Sequence, residues 1–230
     1  MLNLKVLHQI HHGLIVSCQA QKEEPMFGAN IMAAFAKAGK QGGAVGIRAS
    51  EPENISAIKK EIDLPIIGIY KKWHQNSEVY ITPTYKTAQA VIKSGVSILA
   101  LDGTKRKRPR NENLTDIISK IHQNYPSIMI MADCDNLNSA QYAVSCKADI
   151  ISTTLAGYTK ETQNKLTFNP GLVKQFSNLG TPVIAEGHIH THDQLRAAFS
   201  SGAYAAVIGT AITRPEIITK TFVNSIKTLF

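Results

Sequence analysis

Eight short apolar runs pace this chain, each closing on a polar, charged or glycine residue and each followed by a segment of helical character. The runs are Leu14–Gln19, Ala44–Arg48, Pro65–Lys71, Ile98–Asp102, Ile128–Asp133, Asp149–Thr154, Pro182–Glu186 and Ala205–Gly209. With the sixth end taken at Thr153, their ends fall between 20 and 33 residues apart, the length of a βα unit. Each run is too short for a typical helix and rich in Ile, Val or Ala, so it reads as a buried parallel strand. The segments between carry a three-to-four-residue apolar period, as in Ile55, Ile58 and Ile62, or Ala88, Val91 and Ile92. Helices are expected near residues 1–12, 29–41, 51–62, 84–94, 114–123, 139–146, 171–178, 193–200 and 216–226. Eight even units predict a (β/α)₈ barrel filling one domain over residues 1–230, with a short helix ahead of the first strand. A doubly wound open sheet is the alternative. It is disfavoured because no GxGxxG follows the first strand and nothing divides the chain into halves.

Composition bounds the class. With 230 residues, 43% of them hydrophobic, the chain can bury one large core. The net charge of +8 suits an anionic ligand and says nothing about fold. Cys18, Cys134 and Cys146 form no CxxC pair and no even framework, so a reduced, cytoplasmic chain is expected. The first twelve residues lack a signal-peptide pattern, and no apolar run reaches membrane-spanning length.

The strand ends carry the chemistry. Gln19, Arg48, Lys71, Asp102, Asp133, Thr153, Glu186 and Gly209 converge on the mouth of a barrel, where such enzymes place their sites. Five of the eight are charged directly after an apolar run, a pattern that a packed core does not tolerate. Lys71 draws most from this company, because burial beside Arg48 lowers a lysine's pKa toward a neutral amine. The loops after the last two strands read as a phosphate cradle. Gly187 and Gly209 permit close backbone approach, Thr210 and Thr213 offer hydroxyls, and Arg214 offers a fork. Pro215 is placed to open the last helix.

Three features compete for other roles. Lys105-Arg-Lys-Arg-Pro-Arg110 has the look of a nucleic-acid patch, yet lies in the loop after the fourth strand, where solvation or an anionic substrate explains it better. His188, His190 and His192 alternate in one loop without a matching Cys or carboxylate set, so no metal site is expected. Cys18 and Cys134 adjoin site positions, and strand alternation turns both outward beneath the helices.

At these residues the chain resembles the N-acetylmannosamine-6-phosphate 2-epimerase family. The matching stretches run from Leu14-Ile-Val-Ser-Cys-Gln-Ala20 through Leu64-Pro-Ile-Ile-Gly-Ile-Tyr-Lys71, Val79-Tyr-Ile-Thr-Pro-Thr84 and Met131-Ala-Asp133. They end in Val183-Ile-Ala-Glu-Gly187 and Gly209-Thr-Ala-Ile-Thr-Arg-Pro215. The resemblance implies a cofactor-independent and metal-free isomerase of sialic acid catabolism, which interconverts N-acetylmannosamine 6-phosphate and N-acetylglucosamine 6-phosphate. It implies Lys71 and Glu186 as acid/base residues, and Gln19, Arg48, Asp133 and Arg214 as substrate contacts, to which the strand-end position adds Thr153. Gly187, Gly209, Thr210 and Arg214 are expected to hold the phosphate. A homodimer is expected from the resemblance and from the apolar closing segment, residues 217–230, whose Leu229 and Phe230 suit a partner surface. A Schiff-base lyase using Lys71 and a non-catalytic sugar-phosphate binder are the rival readings. Phe27-Gly-Ala-Asn30, Cys134-Asp-Asn136 and His188 depart from the family's usual residues, which affects loop contacts rather than the catalytic pair.

Overall fold

In a computed structural model that describes residues 4–164 and 167–227, eight parallel strands close into a barrel in chain order, β1 pairing with β8. A short helix α1 (Leu4–Ile10) precedes β1 (Leu14–Cys18). There follow α2 (Ala29–Gln41), β2 (Gly46–Ser50), α3 (Pro52–Glu61), β3 (Ile66–Ile69), α4 (Tyr85–Lys93), β4 (Ile98–Asp102) and α5 (Leu114–Asn124). The second half runs through β5 (Met129–Asp133), α6 (Leu137–Ser145), β6 (Ile150–Ser152), α7 (Pro170–Ser177), β7 (Val183–Glu186), α8 (His192–Ser200) and β8 (Ala205–Ile208). It ends in a single-turn helix α9 (Thr210–Thr213) and α10 (Pro215–Lys227). This is the expected (β/α)₈ barrel.

Strand alternation sorts the core into two layers. Ile15, Ile67, Ile69, Ile98, Met131 and Val207 fill the barrel interior, and Val6 and Ile10 of α1 join them as a stopper. Cys18, Ile47, Leu99, Ile130, Ile151 and Ala206 face outward against the helices, packing with Ile55, Val91, Ile121 and Phe176. Both Cys18 and Cys134 lie in this outer layer, fully buried, as strand alternation requires. Gly68 explains an odd residue in an isoleucine strand: a Cβ there would stand 2.7 Å from Val91 Cγ1, so its absence lets α4 settle against β3.

Several boundaries shift. An apolar run read up to its first charge ends the second strand at Arg48, whereas β2 continues through Ala49 and Ser50. The charge lies inside the barrel, opposite acids on other strands, so the strand has no reason to stop. The third strand ends at Ile69, and Lys71 instead forms an antiparallel bridge with Ile81. The chain doubles back here: Lys72 N–H donates to Tyr80 O, and Thr82 N–H to Tyr70 O, both at 2.9 Å. Ile81 O then accepts from Asp102 N–H at 3.1 Å, and the Thr82 hydroxyl donates to Ala100 O at 2.7 Å. Residues 79–82 thus lean into the top of the seam between β3 and β4, whose own pairing is confined to Ile67–Ile98 and Gly68–Leu99.

The closing helix is the other surprise. No residue of α10 is buried, and Phe222, Val223 and Ile226 present apolar surface to solvent. Leu229 and Phe230 lie outside the described residues. No helix among the described residues is long and apolar enough to cross a membrane.

Candidate active site

The inward-facing positions at the strand tops gather a cavity of about 320 Å³. Gln19, Arg48, Lys71, Glu186, Gly187, Gly209, Thr210 and Arg214 all reach its wall, as the sequence leads one to expect. Thr213 lines it too, although its hydroxyl is committed to Ser17 O at 2.7 Å.

Arg48 is the centre of the site. Its side chain is 1% exposed, and its two terminal nitrogens reach Asp133 at 3.1 and 2.6 Å. Nη1 also pairs with Glu186 Oε2 at 2.9 Å. The Ser152 hydroxyl donates to Asp133 Oδ1 at 2.9 Å, and the Thr154 hydroxyl to Glu186 Oε2 at 2.8 Å; the two hydroxyls are themselves 2.8 Å apart. Burial alone would lower the Arg48 pKa, but Asp133 and Glu186 outweigh it and hold the guanidinium charged.

Two of the expected contacts lie behind the cavity wall. Asp133 is fully buried, and its oxygens accept from Arg48 and Ser152, which holds Arg48 in place. Thr153 faces away from the mouth as well. Its hydroxyl donates to Glu186 O at 2.8 Å and accepts from Glu186 N–H at 3.0 Å, tying β6 to β7. The residue that lines the cavity is Thr154, one position on. The reason is period two: Ser152 faces inward with Asp133, so Thr153 must face out.

Lys71, two residues past the end of β3, and Glu186, the last residue of β7, follow strands on opposite sides of the closed barrel. Lys71 forms no ion pair among the described residues. Burial lowers its pKa below the ordinary lysine value, and Arg48 lowers it further, against the opposing pull of Glu186 and Glu24. Burial pushes Glu186 up to about 7, aided by Asp133 and opposed chiefly by Arg48. The two groups are therefore drawn toward each other in acidity, the condition under which an amine and a carboxyl can exchange roles near neutral pH.

The loops after β7 and β8 bring Gly187, Gly209, Thr210 and Arg214 to the cavity wall. Gly187 takes a positive φ of 98°, which favours glycine, and Gly209 caps α9. Arg214 is already engaged, with Nη2 on Glu24 and Nε 3.1 Å from Glu216. Glu24 had no signal in the sequence, since it lies in an irregular loop far from any strand end.

The basic loop after β4 has a role that neither solvation nor substrate contact anticipates. Arg106 pairs with Asp102 at 2.6 Å and bonds the Thr104 hydroxyl at 3.0 Å. Arg108, 3% exposed, donates to Asp102 O and to Pro83 O. The loop is an internal brace that spends two cations on Asp102 and the loop after β3. His188 and His190 line the cavity, and the described residues contain no cluster able to hold a metal. Sequence reasoning also missed Tyr80, Trp73 and Tyr158 in the cavity wall. Only the doubling-back of residues 71–82 reveals the first two.

A family model described as "Putative N-acetylmannosamine-6-phosphate epimerase" matches residues 32–228. A Listeria monocytogenes protein named "Putative N-acetylmannosamine-6-phosphate 2-epimerase" is 47% identical over 96% of this chain and 97% of its own length. A Clostridioides difficile protein of the same name is 43% identical over 96% of this chain and 99% of its own. Among solved structures, the N-acetylmannosamine-6-phosphate 2-epimerase from Clostridium perfringens superposes with a TM-score of 0.91 at 42% identity, covering 95% of each chain. A thiamine phosphate pyrophosphorylase from Pyrococcus furiosus, at 15% identity and a TM-score of 0.59, shares the fold alone. With a matching family model and close relatives over nearly its whole length, the chain belongs to the N-acetylmannosamine-6-phosphate epimerase family.

Proposed function

We propose that this protein interconverts N-acetylmannosamine 6-phosphate and N-acetylglucosamine 6-phosphate at C2, with Lys71 and Glu186 as the acid/base pair. The observation that carries the assignment is the pair itself: an amine and a carboxyl on opposite walls of one cavity, with burial drawing their acidities together. In the open-chain sugar the C2–H bond lies next to the C1 aldehyde. One member of the pair takes the C2 proton, and the bonding electrons form a C1–C2 double bond as charge moves to O1. The other member, protonated, delivers a proton to the opposite face of C2 while the C1 carbonyl re-forms. The reverse direction uses the same pair with roles exchanged, so atoms and charge balance without a redox partner. Arg48 stands beside this path as a fixed cation that stabilises the enediolate charge, and Asp133 holds it in place.

The phosphate rests on the backbone of Gly187, Gly209 and Thr210, with Arg214 Nη1 as the guanidinium nitrogen left over from its pairings with Glu24 and Glu216. Gln19 reaches the sugar from β1. The reading calls on no cofactor, because the proton lies α to an aldehyde and Arg48 stabilises the enediolate that its removal leaves. Three unpaired, buried cysteines favour a reducing cytoplasm. The exposed apolar face of α10 favours a homodimer built on that helix.

Proton NMR of N-acetylmannosamine 6-phosphate with the enzyme in D₂O tests the function. The expected result is the epimer with deuterium at C2. Failure to form any epimer would sink the assignment. Borohydride added during turnover should trap no adduct on Lys71; a covalent adduct would favour Schiff-base chemistry instead.

A further inference from the structure

The acid/base reading leaves an aromatic surface at the cavity mouth without a task. Trp73 stacks on Tyr80 with the rings parallel within 1° and their centroids 5.6 Å apart, and both line the cavity. Trp73 is 65% exposed despite the stack, an apolar surface held in water at the edge of a polar site. The backbone that carries the pair is tied down, since Lys72 N–H bonds Tyr80 O and Lys71 bridges Ile81.

Direction decides what meets this surface. The proposed phosphate cradle follows β7 and β8, whereas Trp73 and Tyr80 follow β3, across the closed barrel. A sugar phosphate anchored at the cradle therefore extends its C2 end toward β3, where Lys71 also stands. The substituent on C2 is an acetamido group, whose methyl is the one apolar group of the substrate. We propose that Trp73 and Tyr80 form an acyl-recognition wall that receives this acetamido group and selects N-acylated hexosamine phosphates over free-amine or 2-hydroxy counterparts. The inference rests on the epimerase reading for the direction of the substrate. The Tyr80 hydroxyl, a phenol at neutral pH, adds a donor for the amide carbonyl on the same wall.

The chain has a single tryptophan, so fluorescence excited at the red edge, where only the indole absorbs, reports on Trp73 alone. Titration with N-acetylglucosamine 6-phosphate should change the emission and saturate at the concentrations that saturate turnover. Glucosamine 6-phosphate and glucose 6-phosphate should leave it almost unaltered. Trp73→Ala should raise KM for N-acetylmannosamine 6-phosphate about three- to tenfold, the scale of one lost aromatic contact, with kcat little changed. Inhibition by glucose 6-phosphate should be unaffected by that variant, and Trp73→Phe should recover most of the loss. The proposal is overturned if the wild type turns over without any emission change. It is equally overturned if Trp73→Ala weakens all three ligands alike, or if Tyr158→Ala and not Trp73→Ala erases the preference for N-acyl sugars. A wild type that makes no epimer would fail the epimerase reading separately, and the emission contrast among the three sugar phosphates would still decide the wall.

Discussion

Arg48 grips Asp133 through both terminal guanidinium nitrogens, at 3.1 and 2.6 Å, at a depth where neither side chain meets water. Pairing of this kind contributes little net stability when intact, and Glu186 remains as a counter-ion to Arg48 if the Asp133 charge is removed. The arrangement makes Asp133 the support for the cation that stands beside Glu186.

Asp133→Asn places an amide nitrogen against a guanidinium donor and should lower stability by about 1–3 kcal/mol, read as a shift in the urea midpoint. The Asp133 charge is one cause of the high Glu186 pKa, so its removal should also move the acidic limb of the pH–rate profile to lower pH. A variant with normal stability and an unmoved profile would refute the support role.

Glu186 titrates at about 7 in the fold against an ordinary 4.5. The folded state binds this proton more tightly than the unfolded chain, so the contribution is fully present below 4.5 and declines as pH rises through 7. The loss by pH 8 is roughly 3 kcal/mol. Glu186→Gln lacks this titration, so its melting temperature relative to the wild type should climb between pH 4.5 and 8. Parallel curves would show that burial does not perturb Glu186.

Thr153 and Thr154 offer a test of strand register. Thr154→Val removes the hydroxyl that helps hold Glu186 ionised, so the Glu186 limb of the pH–rate profile should move up and kcat should fall. Thr153→Val removes two hydrogen bonds to the Glu186 backbone and should cost about 1–2 kcal/mol of stability without moving that limb. Reversed effects would contradict the register described here.

On α10, Phe222 and Ile226 are 69% and 57% exposed, four residues apart on one helix face. If a second copy covers them, light scattering should give twice the 25.1 kDa chain mass. Phe222→Asp with Ile226→Asp should then give a folded monomer. A monomeric wild type would remove the dimer proposal.

The fold was legible in the sequence because its period is coarse and repeated. Eight apolar runs such as Ile98-Leu-Ala-Leu-Asp102 can hide their backbone only in a sheet covered on both faces, and their even spacing favours closure. Lys71, Glu186 and Gly187 were legible for a related reason, since a charge or glycine directly after a buried strand stands at the mouth. What tertiary structure alone decided is how far each chain segment continues past that point, and toward what. Arg48 reads as a strand end but lies within β2, because the acids that neutralise it arrive from β5 and β7. Asp133 reads as a ligand contact but is consumed by Arg48, a partner 85 positions away in sequence. Thr153 and Thr154 are indistinguishable in composition, and only the pairing register assigns one to the wall and the other to the cavity. The Trp73–Tyr80 stack depends on residues 71–82 folding back over the seam between β3 and β4. The turn closes on its own bonds, Lys72 N–H to Tyr80 O and Thr82 N–H to Tyr70 O, but where it settles is decided by Asp102 N–H and Ala100 O of β4, which no local pattern encodes.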